Sequence, residues 1–154
     1  FFAASAYMLL RAKAPKTGAI ILFGILFGLV MFAMGSGWPI LTSVVVSSII
    51  AELIARSGDY KGYAREVIGY CILMMGTAVG SYIPFLVMKD YYLKLAEGNS
   101  INGEFMSRLV EFISGPYLML ALVTTIVTAI LGTMLARAIF KKHLVKAGLI
   151  REMK

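Results

Sequence analysis

The chain has 154 residues, 60% of them hydrophobic and 15% charged, with a mean hydropathy of +0.85 and a formal net charge of +7. Ordinary globular domains are about half apolar and about a quarter charged, and small domains leave much of their surface in water, so this composition excludes a water-soluble fold and makes lipid part of the solvent. A lone Cys71 inside an apolar run excludes a disulfide framework and a cysteine metal site, and no other residues suggest a metal or a cofactor.

In chain order, residues 1–10 are apolar and stop at Arg11. They lack the basic leader and cleavage signature of a signal peptide, and read as the tail of an N-terminally truncated helix. A helix needs roughly 20 mostly apolar residues to cross the hydrocarbon core. Segments 18–35, 38–55, 67–88 and 117–140 meet or approach that length, with 1–10 as a partial fifth span. Unpaired amides are not tolerated in lipid and these runs lack the alternation of a membrane barrel, so the expected fold is an all-α polytopic transmembrane bundle, a single domain over 1–154.

Small residues recur at helical spacing in four stripes: Gly24 and Gly28; Ser43, Ser47, Ala51 and Ala55; Gly76 and Gly80; Thr128, Gly132 and Ala136. Such stripes let helix backbones approach closely, either within this chain or against a partner subunit. Glu52, an ionisable group near a helix end, stands four residues before Arg56, a spacing that allows a pair on one helix face. Ten methionines are read as flexible filling of the bundle rather than a soft-metal path, because Met74 and Met75 are adjacent and Met31 and Met34 lie in an apolar helix.

Between the spans, Gly35-Ser36-Gly37-Trp38-Pro39 predicts a tight, charge-free turn with Pro39 in the first turn of the next helix. Pro84 is expected to interrupt its helix, and Lys89-Asp90-Tyr91-Tyr92 follows at the same end. Trp38, Tyr82, Lys89, Asp90, Tyr91 and Tyr92 therefore form a candidate ligand-binding cluster. An aromatic belt anchored at the headgroups accounts for the same rings; Pro84 and the Lys89-Asp90 pair tilt the reading toward a small-molecule pocket. The connection from Lys89 to Gly115 is long, and its stretch 104–114 carries an apolar face of the kind found on interfacial helices, either a lid or a resting surface helix.

Charge orients the chain. The connection holding Arg11, Lys13 and Lys16 is basic, the Gly35-Ser36-Gly37 turn is uncharged, and the third connection carries Arg56, Lys61 and Arg65 against Asp59 and Glu66. The fourth has three bases against four acids, and the tail from Arg137 has six bases against one acid. Basic connections face the cytoplasm, so the alternation places the tail 141–154 on the cytoplasmic side of a cell membrane. Arg137, Lys141, Lys142, Lys146, Arg151 and Lys154 then meet anionic headgroups, and the net charge calls for no nucleic-acid partner. His143 has no acid or nucleophile at helical spacing, and no metalloprotease, serine-hydrolase or phosphate-loop motif is present, so the chain is not expected to be an enzyme.

A series of short stretches resembles the Trep_Strep family of bacterial membrane proteins, grouped with the substrate-binding S components of energy-coupling factor (ECF) transporters. The stretches are Tyr7-Met8-Leu9-Leu10 with Lys13-Ala14-Pro15-Lys16; Met34-Gly35-Ser36-Gly37-Trp38-Pro39; Ala51-Glu52-Leu53-Ile54-Ala55-Arg56 with Gly58-Asp59-Tyr60; Gly80-Ser81-Tyr82-Ile83-Pro84 with Met88-Lys89-Asp90; and Lys141-Lys142-His143 with Lys146-Ala147-Gly148. The resemblance implies a six-helix bundle, about five of them covered here, that captures a small nutrient on its outer side. It further implies a membrane coupling protein and two ATPase subunits as partners. The competing expectation is a membrane scaffold without a ligand, for which the small-residue stripes suffice.

Overall fold

The structure is a computed structural model and describes residues 3–14, 16–98, 103–114 and 116–145. Every element among them is helical: α1 (Ala3–Lys13), α2 (Ala19–Met31), α3 (Trp38–Ser57), α4 (Tyr63–Val87), α5 (Lys89–Gly98), α6 (Gly103–Ser114) and α7 (Pro116–Ile139). Helix α2 continues into a wide π turn, Phe32–Ser36, and α7 into another, Phe140–Val145. Four stretches are long and apolar enough to cross a membrane: Ala19–Ser36, Trp38–Ser57, Tyr63–Pro84 and Tyr117–Lys142. The chain is thus an all-α polytopic bundle.

The reversal from α2 to α3 needs left-handed backbone, which Gly35 (φ 89°) and Gly37 (φ 80°) supply without a Cβ penalty. Pro39 then sits in the first turn of α3, where its missing amide hydrogen costs nothing. Helix α3 packs against both α2 and α4, through adjacent faces that carry Ser48 and Ser47, and α7 packs on α4. Helix α1 docks at one end, mainly on α7, with further contact to α2 and α4.

The glycine stripes set these contacts. A Cβ on Gly24 would collide with Ser48, one on Gly28 with Leu41, one on Gly76 with Ser47, and one on Gly80 with Ser43 and Ile40. As the numbers rise on α2 and α4 they fall on α3, so both pairs are antiparallel. Ser43 Oγ donates to the Gly76 carbonyl oxygen at 2.7 Å, adding a hydrogen bond across the α3–α4 seam. Such bonds contribute about 0.6 kcal/mol on average in bilayers. Gly132 and Ala136 are also buried, on α7. These residues are spent on packing within the chain.

Tyr7, Met8, Ile20, Val44, Ala51, Tyr70 and Leu73 form the buried core, whereas Leu22, Leu26, Leu29, Val30, Val46, Ile50 and Leu53 are exposed on the spans. An apolar surface of that extent is stable only against acyl chains. Met34, Met119 and Met134 are also more than half exposed, so these methionines face outward rather than fill the bundle.

Two expectations are corrected here. Helix α4 is not interrupted at Pro84 but runs on to Val87, and the Met88 amide donates to the Pro84 carbonyl at 2.7 Å. Residues 89–115, expected to be a long loop with one helix, contain two, α5 and α6. The tail beyond 145 lies outside the described residues, as does the side chain of His143.

Candidate functional site

At the end of the bundle where α4 finishes and α7 begins, a groove of about 310 Å³ opens between α4, α6 and α7. Tyr82 lines it from α4, Phe112 from α6, and Tyr117, Leu120, Ala121, Thr124, Thr125 and Thr128 from α7. The α7 residues fall three or four apart, which brings them to one helix face. Phe112 and Tyr117 stack with ring centroids 4.3 Å apart and planes 13° apart, so the aromatic wall spans the junction between α6 and α7. The Thr125 hydroxyl donates to the Ala121 carbonyl at 2.8 Å and that of Thr128 to the Thr124 carbonyl at 2.7 Å. Their donors are thereby satisfied inside lipid, and each hydroxyl oxygen can still accept. With rings, three threonine hydroxyls, two phenols and no charged side chain among the described residues of its wall, the groove suits a small molecule held by stacking and a few hydrogen bonds.

Of the sequence-predicted ligand residues, Tyr82 lines this groove. Trp38 begins α3 at the same end and is 48% exposed, but is not part of the wall. Lys89, Asp90 and Tyr91 open α5, all on the exposed side. Tyr92 follows them on α5, and its side chain lies outside the described residues. The cluster therefore shares one end of the bundle without converging on one cavity among the described residues. Phe112 and the threonines of α7 were not expected as ligand residues: Phe112 reads as part of the apolar face of 104–114 and Thr128 as part of a packing stripe, although the spacing of the threonines is a visible signal.

The opposite end holds a polar network. Glu52, 3% exposed, accepts from the amides of Gly18 at 3.1 Å and Ile20 at 3.0 Å, and from the Tyr60 hydroxyl at 2.7 Å. Its carboxylate thus serves the free amides and positive dipole end of α2. This corrects the expected pairing with Arg56, whose side chain is exposed one turn further along α3. The Tyr60 hydroxyl oxygen also lies 3.0 Å from Thr17 Oγ1, whose hydroxyl can donate to it, and Tyr60 holds a left-handed φ of 56°, as Asp59 does at 51°. Such strain in non-glycine residues persists where the surroundings impose it. Beside them, a hydrogen bond from Lys61 at 2.8 Å holds the exposed Asp59 carboxyl below its usual range.

Arg11 from α1 and Glu66 from α4 form a buried ion pair, Nη2 to Oε1 at 3.8 Å, and the Arg11 guanidinium lies 5.1 Å from the Tyr60 ring centroid. Arg137 of α7 sits over the Tyr63 ring at 4.1 Å. The sequence had placed Arg11 and Glu66 in solvated connections. Their missed signal is periodicity: Tyr7 and Arg11 are four apart, and Tyr63, Glu66 and Tyr70 fall on one face of α4.

A protein-family model described as "Hypothetical bacterial integral membrane protein (Trep_Strep)" matches residues 1–146 of the chain. No curated protein and no solved structure matches it.

Proposed function

The chain belongs to the Trep_Strep family of bacterial integral membrane proteins, and from that premise we propose that it is the substrate-binding membrane subunit of an ECF-type importer. The observation that carries this reading is the groove between α4, α6 and α7 at the end of the bundle away from the net-basic connections, the outer end if those connections face the cytoplasm. Its volume of about 310 Å³ is that of a small-molecule site, and amphipathic α6 lies where a cover over it belongs. A nutrient enters from outside, stacks against Tyr82, Phe112 and Tyr117, and is held by threonine oxygens. Trp38, Lys89, Asp90, Tyr91 and Tyr92 stand around the same end, where they steer or enclose it. The chain carries no phosphate-binding motif, so ATP is hydrolysed by two separate ATPase subunits acting through a membrane coupling protein in the bacterial inner membrane.

The competing reading is a scaffold that binds other membrane helices. A groove of about 420 Å³ between α3 and α4, lined by Thr42, Ser43, Val46, Ser47, Ile50, Ile72, Met75, Gly76 and Val79, favours it. Mass spectrometry of small molecules released from the purified protein separates the two. Transport predicts a stoichiometric solute that raises the melting temperature on re-addition, is lost with Tyr82→Ala, and accompanies copurifying ATPase subunits. A protein with no solute and membrane proteins alone as partners is a scaffold.

A further inference from the structure

Six buried side-chain atoms at the basic end have no hydrogen-bond partner among the described residues: the hydroxyls of Tyr7, Tyr63 and Tyr70, Arg11 Nε and Nη1, and Glu66 Oε2. They are deep, since Tyr7 and Tyr70 are 0% exposed, Arg11 3% and Glu66 5%. Arginine keeps its charge in any protein environment, so neutralisation offers no escape from the cost of burying its N–H groups. Orphaned buried donors each cost about 1–3 kcal/mol, and more when charged. The Arg11–Glu66 separation of 3.8 Å is also longer than a charge-assisted hydrogen bond, the geometry of a pair completed by a third partner.

The walls define that partner. Arg11 and Glu66 face each other as a buried ion pair whose charges cancel, so the guest is neutral. It must donate to Glu66 Oε2 and accept from Arg11, which calls for a molecule with both capacities. It must also be small: the Tyr7 and Tyr70 ring centroids are 5.2 Å apart, and the Tyr7 hydroxyl fits only because residue 69 is glycine. We propose that the meeting of α1, α4 and α7 is a binding site for small neutral hydrogen-bonding molecules, and that its resident is water bridging Arg11 to Glu66 and reaching the phenols of Tyr7, Tyr63 and Tyr70. This hydration is what fastens α1 to the spans, independently of the groove at the other end.

The test turns on the sign of a stability change. Tyr7→Phe, Tyr63→Phe and Tyr70→Phe are each measured by thermal unfolding of the whole chain in nanodiscs. If water bonds the phenols, at least two of the three lower the melting temperature by about 2–4 °C, and the triple variant loses less than the sum. In a dry site each substitution removes an unsatisfied hydroxyl, so unchanged or raised melting temperatures overturn the proposal. The unaltered chain supplies a second measurement: in water-edited solid-state NMR, magnetisation from water reaches the ring-labelled buried tyrosines as fast as an exposed one. Slow build-up at those rings overturns the proposal even where a variant fails to fold. Native mass spectrometry identifies the guest. The bare chain mass is expected; a retained adduct of fixed mass that disappears with Tyr70→Phe would replace water by that solute and also overturn it.

Discussion

Glu52 joins the start of α2 to the end of α3, and its three acceptor contacts make it more sensitive than its position near a helix end suggests. Removing it leaves two amides and a phenol without their acceptor, so Glu52→Ala is expected to cost about 1–3 kcal/mol, while Glu52→Gln keeps one acceptor oxygen and costs less. Thermal unfolding of the two variants in one detergent checks the order; equal melting temperatures would remove the cap from the account. The buried pair behaves differently. Arg11→Met or Glu66→Leu alone strands a charge and is expected to cost about 3–5 kcal/mol, whereas the double variant is markedly less damaging than either. A double variant that melts as low as the worse single one contradicts this. The role of Glu52 was not legible from local spacing. The four-residue interval to Arg56 suggested a pair along one helix, but the need at Gly18 and Ile20 arises 32–34 residues earlier in the chain, and only the fold brings need and acceptor together.

Among the elements, apolar length made the four spans readable, because the thickness of the hydrocarbon core is a physical constant of the problem. Helix α5 escaped because Lys89–Gly98 mixes charged, aromatic and apolar residues over too few turns to show a clear period. Pro84 misled in another way: it removes one amide donor, but three residues before the end of α4 the loss is confined to the last turns and the helix continues. The glycine stripes were readable as packing surfaces, yet only the fold tells that α3 is the partner of both pairs. Gly76→Ala is expected to force α3 and α4 apart and cost about 1–3 kcal/mol, as overpacking does, because even a methyl group meets Ser47. Ser47→Gly should recover part of that loss, while Gly98→Ala, which meets nothing, should not lower stability. Unfolding measurements on the three proteins decide it, and an undamaged Gly76→Ala would mean the seam is looser than described.

Over the whole molecule, the two ends differ in kind. Arg11, Lys13, Lys16, Arg56, Lys61, Arg65, Arg137 and Lys141 gather where α1 docks, and the groove lies where α4 meets α7. Antiparallel packing of α2, α3, α4 and α7 makes this separation unavoidable, since each crossing carries the chain from one end to the other. The bilayer converts it into a direction, because moving basic connections across the membrane is disfavoured. Cysteine scanning reads that direction. In a Cys71→Ser background, Lys16→Cys, Lys61→Cys and Lys141→Cys should resist a membrane-impermeant maleimide in intact cells and react once the membrane is opened. Met34→Cys and Lys89→Cys, both at exposed positions of the other end, should react in intact cells. The reverse pattern would put the groove on the cytoplasmic side, where a subunit that captures nutrients from outside has no use for it. Mixed labelling at one end would contradict the antiparallel crossing itself, because residues 16, 61 and 141 are held together by the helices that connect them.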